Sequence, residues 1–157
     1  MSKRVYFLPN ICAGCEECIE TCAREHEGVS LDYIEMVDLY PVPMRCFHCA
    51  DAPCAQICPT KAMSVTEEGA VVSDKNKCIG CGSCLLVCPF GIPKVDVAQK
   101  LVRKCDLCIH RLKDGKVPAC VQNCSLKALQ FGNVEEYEAK KRQKAARKMA
   151  KTGDSAL

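Results

Sequence analysis

Sixteen cysteines fall into four groups of four along this chain, with none left over. The first group, CAGCEECIETC, holds Cys12, Cys15, Cys18 and Cys22, and the second, CFHCADAPCAQIC, holds Cys46, Cys49, Cys54 and Cys58. The third, CIGCGSCLLVC, holds Cys78, Cys81, Cys84 and Cys88, and the fourth, CDLCIHRLKDGKVPACVQNC, holds Cys105, Cys108, Cys120 and Cys124. Thiols this dense are ligands for a soft metal centre. A cubane iron–sulfur cluster needs four thiolates, and a C-x2-C-x2-C loop wraps three of them around one cube. The fourth cysteine lies about one helical turn on and faces a neighbouring cube. Proline after it, as in Cys58-Pro59 and Cys88-Pro89, cannot continue the turn and sends the chain away. Gly14, Gly80 and Gly82 let the backbone come close, so that amides point at cluster sulfurs. Groups one and three share the spacing C-x2-C-x2-C-x3-C, and every group ends in C-x3-C, so the chain carries two copies of a two-cluster unit. Sixteen thiolates serve four [4Fe-4S] clusters.

Two other uses of cysteine compete. Small cysteine-dense domains are usually secreted and disulfide-bonded. Here MSKRVYFLPNICAGC has no apolar run of signal-peptide length, and no stretch approaches the ~20 apolar residues of a membrane span. The expectation is a cytoplasmic protein, where disulfides are rarely kept. Zinc is the rival metal, but its knuckles come two cysteines at a time, whereas groups one and three each offer three ligands within seven residues. A brown colour that bleaches on reduction would separate the two metals.

The elements that must hold these ligands are short. At 157 residues, with no tryptophan and 5% aromatic residues, the chain lacks the large apolar side chains of an ordinary core, so the metal centres must help to hold it. RVYFL at 4–8 reads as an entering strand and LKALQFG as a closing one. MSVTEEGAVVS (63–73) and KVDVAQKLVRK (94–104) read as hairpins. Short helices are expected to follow the third cysteine of each group, as in CLLVC. Apolar residues inside the motifs (Ile11, Ile19, Ile57, Ile79, Leu85, Val87, Ile109 and Val121) are expected to pack around the cubes. The class is α+β: nested bacterial two-cluster ferredoxin-like units over 1–132 and a basic helix over 133–157.

That last segment, NVEEYEAKKRQKAARKMAK, has Asn133 as N-cap with Glu136 three residues on, acids in its first turn and Gly153 to end it. Its apolar stripe (Val134, Tyr137, Ala145, Met149) is thin, so it suits its own core poorly. Residues 138–151 hold seven bases, Lys140, Lys141, Arg142, Lys144, Arg147, Lys148 and Lys151, against Glu138. The formal charge of +3 counts cysteines as neutral. With about −2 for each oxidised cube and its thiolates, the loaded protein is near −5, so the body is acidic and the tail basic. This disfavours nucleic acid and suggests that the tail docks on an acidic partner or on the body of another copy.

His48, His26 and His110 read as structural or surface histidines, since cysteine completes the ligand count. Asp51, Asp106 and Arg111 are charged neighbours of the motifs, with Arg111 placed to cap a loop carbonyl. No nucleophile–base pair, open metal site or phosphate loop is evident, so the chain is not expected to be an enzyme by itself.

CFHCADAPCAQICP, CIGCGSCLLVCPFG and KCDLCIHRLKDGKVPACVQNC resemble the four-cluster electron-transfer subunits of molybdenum or tungsten oxidoreductases. Such subunits serve formate dehydrogenases, aldehyde oxidoreductases and dimethyl sulfoxide reductases, and related ones serve hydrogenase and carbon monoxide dehydrogenase complexes. The likeness covers residues 4–132. It implies a nested exchange of ligands: Cys12, Cys15 and Cys18 with Cys124; Cys105, Cys108 and Cys120 with Cys22; Cys78, Cys81 and Cys84 with Cys58; and Cys46, Cys49 and Cys54 with Cys88. It implies four cubes in a line in that order. It also implies a wire between a large catalytic subunit and a second redox partner, in a cytoplasmic complex of anaerobic metabolism; the alternative is a free polyferredoxin. Ala23 and Ser125, after Cys22 and Cys124, stand where many relatives have proline after the fourth group, and no membrane-anchoring helix is present.

Overall fold

The structure, a computed structural model, describes residues 3–152. Four helices begin one residue before the third cysteine of a group: α1 (Glu17–Glu25), α2 (Pro53–Gln56), α3 (Ser83–Val87) and, in the fourth group, α5 (Ala119–Gln122). The chain turns into the first three through a left-handed residue, Glu16, Ala52 or Gly82. Two of these are not glycine and carry strain of about 1–2 kcal/mol each, a cost that recurs where backbone is bent for a ligand. Pro59 and Pro89 stop α2 and α3 at the fourth cysteine, whereas Ala23 lets α1 run on beyond Cys22 to Glu25.

Strand β1 (Arg4–Phe7) pairs antiparallel with β8 (Leu129–Gly132), closing the two ends of the body on each other. The hairpins β4 (Met63–Val65) with β5 (Val71–Ser73), and β6 (Lys94–Asp96) with β7 (Leu101–Arg103), form where the alternation of residues points to them. Two elements escape that pattern. A further hairpin, β2 (Tyr33–Val37) and β3 (Tyr40–Met44), includes Pro41 and Pro43, which argue against a strand except at an edge; in a two-stranded sheet every strand is an edge. A short α4 (Ile109–Lys113) fills the long gap of the fourth group. Each half of the chain thus runs loop, helix, hairpin, loop and helix, closed by the β4–β5 hairpin in the first half and by the single strand β8 in the second, and β2–β3 occupies in the first half the place of β6–β7 in the second. The helices pair as the repeat requires, α1 packing on α5 and α2 on α3.

Both cores are built largely of thiols. One gathers Cys120, Cys124, Ala128 and Leu129 with Val5, Phe7, Cys12, Cys18 and Val121. The other gathers Met63, Cys84 and Val102 with Cys54, Ala55, Cys58, Cys78 and Leu85. The apolar motif residues divide: Ile19, Leu85, Ile109 and Val121 are half-buried, but Ile11, Ile57, Ile79 and Val87 are exposed. They face outward because the loops that carry them turn their cysteines inward.

The repeat also explains two glycines. Gly14 and Gly80 both have φ +68, and a Cβ on either would meet the neighbouring hairpin at 2.6 Å, Pro41 Cγ in one case and the Lys100 carbonyl oxygen in the other. Gly82 has φ +76 with open space around it. Gly80→Ala is therefore expected to cost the left-handed strain of about 1–2 kcal/mol plus about 1–3 kcal/mol of overpacking against backbone, while Gly82→Ala costs the strain alone. Thermal melts of the two loaded variants check this; equal losses would show that the hairpin gives way freely.

The tail forms α6 (Val134–Thr152). Asn133 Oδ1 accepts the Glu136 N–H at 2.7 Å, and Glu136 Oε1 returns to the Asn133 side-chain amide at 3.0 Å rather than to its backbone, so only the forward half of a capping box is made. Tyr137 stacks on Tyr6 of β1, with ring centroids 5.5 Å apart. From Lys140 to Ala150 the helix is exposed. Gly153 lies outside the described residues.

Candidate metal centres

None of the sixteen cysteines is in a disulfide. Cys12, Cys15, Cys18 and Cys124 edge one hollow. Cys46, Cys49, Cys54 and Cys88 edge another, and Cys58, Cys78, Cys81 and Cys84 a third. Cys22, Cys105, Cys108 and Cys120 are all buried, close enough that charge on Cys22 acts on Cys108 and Cys120, and charge on Cys120 acts on Cys105. Every set thus joins three cysteines of one group to the last of another. Three hollows, each edged by four sulfurs, fit one repeated occupant with a soft, four-thiolate shell.

The chemistry of the donors agrees with that fit. Burial pushes the thiols of Cys18 and Cys84 up to about 11 and those of Cys108 and Cys120 up to about 12. Left alone they stay protonated, and only a strongly positive centre draws off the protons. Backbone N–H groups are aimed at sulfur: Leu31 donates to Cys22 Sγ at 3.3 Å, His48 to Cys46 at 3.4 Å and Val102 to Cys78 at 3.3 Å. Donors of this kind favour the charged form of the thiolate they reach.

The sets form a row. The C-x3-C steps Cys18 to Cys22 and Cys120 to Cys124 join the Cys12 set to the Cys105 set, and those from Cys54 to Cys58 and Cys84 to Cys88 join the Cys46 set to the Cys78 set. Between the halves, Val102 N touches Cys78, Lys104 Nζ lies 3.6 Å from Cys46 Sγ, and Lys104 Nζ donates to the Cys105 carbonyl at 2.8 Å. The neighbour of the Cys105 set is therefore the Cys46 set, and the row reads Cys12, Cys105, Cys46, Cys78. This differs from the order that the family resemblance implies: Lys104, directly before Cys105, contacts Cys46. Cys15, in one end set, and Cys81, in the other, are the two exposed cysteines.

The remaining polar residues serve as supports. His48 is buried and its Nδ1 accepts the Val71 N–H at 2.9 Å. His26 Nε2 lies 3.5 Å from Asp106 and 3.7 Å from Cys108 Sγ, and His110 pairs with Glu25 at 2.8 Å. Asp106 accepts the Cys108 N–H at 2.8 Å, Arg111 caps the Val117 carbonyl at 3.0 Å, and the Asp51 carbonyl accepts from Gln56. Sequence reasoning missed Asp32, Arg45 and Lys104, all buried. The only signal was a base directly before the first cysteine of groups two and four; Lys77 before Cys78 carries the same signal and is exposed.

Residues 37–134 match the family described as the 4Fe-4S dicluster domain. The sequence is 41% identical over 133 residues to the polyferredoxin-like subunit of an aliphatic sulfonate oxidoreductase from Pyrococcus furiosus, covering 79% of this protein and 73% of that one. It is 35% identical over 148 residues to a component of the anaerobic dimethyl sulfoxide reductase of Escherichia coli, covering 82% and 72%. It is 31% identical over 138 residues to a component of the tetrathionate reductase of Salmonella typhimurium, covering 80% and 55%. Among the described residues no helix is long and apolar enough to cross a membrane. The protein belongs to the 4Fe-4S dicluster domain family and is one of the iron–sulfur electron-transfer subunits of oxidoreductases.

Proposed function

We infer that the protein carries four [4Fe-4S] clusters, one in each set of cysteines, and conducts electrons along the row from one exposed end to the other. The observation that carries this reading is the gathering of sixteen cysteines into four sets, with Cys15 and Cys81 exposed in the two end sets. Each cluster takes up and returns one electron. The chain's part is spacing and shielding: C-x3-C steps on a helix hold ligands of neighbouring sets about 5–6 Å apart, and the buried Cys105 set keeps water from the middle.

The partner at one end is the large catalytic subunit of a molybdenum or tungsten oxidoreductase in a cytoplasmic complex. Relatives named as parts of sulfonate and dimethyl sulfoxide enzymes support this class. The chain divides into a cluster-bearing body, 1–132, and a basic tail, 133–157. We propose that α6, exposed from Lys140 to Ala150, docks on an acidic surface of the partner or of another copy.

Purification from the native source tests the whole reading. The full chain is expected to carry about sixteen irons and to elute with a large subunit. A chain truncated after Gly132 keeps its iron and loses the assembly. A full chain that elutes alone is a free polyferredoxin, and a truncated chain that still assembles removes the role given to α6.

A further inference from the structure

Two buried cations stand beside the two middle sets. Arg45 and Lys104 occupy equivalent places in the repeat, directly before Cys46 and Cys105, and each is 5% exposed. Each reaches to the other's set. Lys104 Nζ comes within 3.6 Å of Cys46 Sγ and its charge bears on Cys54 as well as on its neighbour Cys105, while charges on Cys120, Cys105 and Cys18 act on Arg45.

The crossing is unequal. Arg45 Nε donates to Asp32 Oδ2 at 3.2 Å, and Asp32 is 2% exposed. Charge on Asp32 bears on Cys22, Cys105 and Cys120 of the Cys105 set, and also on Cys18 of the Cys12 set. Lys104 has no such counter-ion: its ammonium donates to the carbonyls of Val71 and Cys105, and no acid pairs with it among the described residues. A cation within contact distance, away from water, acts with little screening.

Adding one electron makes a thiolate-ligated cluster more negative by one charge. A lone buried cation favours that reduced state, whereas burial and a nearby carboxylate oppose it. Resting on the four-cluster reading above, we propose that Lys104 raises the potential of the cluster held by Cys46, Cys49, Cys54 and Cys88. Asp32, by neutralising Arg45, leaves the fully buried cluster of the Cys105 set lower. The two central neighbours thus form a step. An electron entering the body rests on the Cys46 side of the middle, and crossing to the Cys105 side is the uphill event in transport. The pairing of Asp32 with one cation and not the other sets the direction of that step.

Redox titration of the loaded full chain, followed by electron paramagnetic resonance, measures it. Lys104→Met is expected to shift the oxidised-to-reduced ratio of one signal about tenfold at fixed potential, which is about 59 mV downward for one electron. That signal is the one which Cys49→Ser removes or converts. Lys104→Arg, which keeps the charge, leaves it near its original place. Asp32→Asn moves a different signal upward. Four loaded clusters whose potentials stay put in both Lys104→Met and Asp32→Asn, or move together, overturn the inference alone. Fewer than four clusters in the unaltered chain overturns the four-cluster reading and this inference with it. If Lys104→Met takes up no iron, Asp32→Asn decides: a selective upward shift upholds the step, and an unmoved set of potentials rejects it.

Discussion

Cys88→Ser is expected to disable the cluster of Cys46, Cys49 and Cys54 and to spare that of Cys78, Cys81 and Cys84, although Cys88 belongs in sequence to the latter group. Cys88 follows the end of α3 and has an extended backbone, which carries its sulfur out of the turn that holds Cys84. It lines the same hollow as Cys46, Cys49 and Cys54, under a lid formed by Phe47 and Phe90, whose rings lie 4.2 Å apart. Serine in its place offers a harder, far less acidic ligand. The expected result is the loss or conversion of one resonance signal, with iron falling from about sixteen toward about twelve per chain. Damage confined to the Cys78 set would show that ligands are not exchanged between groups. Cys58→Ser, the converse change, is expected to strike the Cys78 set.

Stripping the iron is expected to unfold the body outright. Six of the buried core residues are cysteines: Cys22, Cys84, Cys105, Cys108, Cys120 and Cys124. The sheets are four separate two-stranded pairs, each marginal by itself in water. Helices of four or five residues such as α2, α3 and α5 lie far below the ~12–15 residues at which an isolated helix begins to persist. Removing the centres withdraws the one thing these pieces share. Oxidative iron removal in a chelator should abolish the cooperative melt and open 4–132 to proteolysis, while α6, at 19 residues, keeps some residual helical signal. A stripped body that still melted cooperatively would mean that its apolar packing suffices without metal.

Much of this arrangement was legible in the residues. C-x3-C spacing located α1, α2, α3 and α5 close to the third cysteine of each group, although only in α1 do both cysteines of the step lie within the helix. Alternation located β4–β5 and β6–β7. The hairpin β2–β3 stayed hidden because Pro41 and Pro43 speak against a strand when its edge position is unknown. The central crossing was invisible for another reason. Arg45, Lys77 and Lys104 look alike before their cysteines, and only the folding of the halves against each other buries two of them and leaves Lys77 in solvent.

The pairing of β1 with β8 gives the molecule a calendar as well as a shape. A chain emerging from the ribosome completes the Cys46 and Cys78 sets once residue 88 is out, since every ligand of both lies between 46 and 88. The Cys12 and Cys105 sets stay open until residue 124, and the strand that seals them follows at Leu129–Gly132. Cys12, Cys15, Cys18 and Cys22, made first, must therefore wait longest for their partners, reduced and uncommitted, while the inner half matures. During synthesis the nested order makes the oldest cysteines the most vulnerable to oxygen and to the wrong metal.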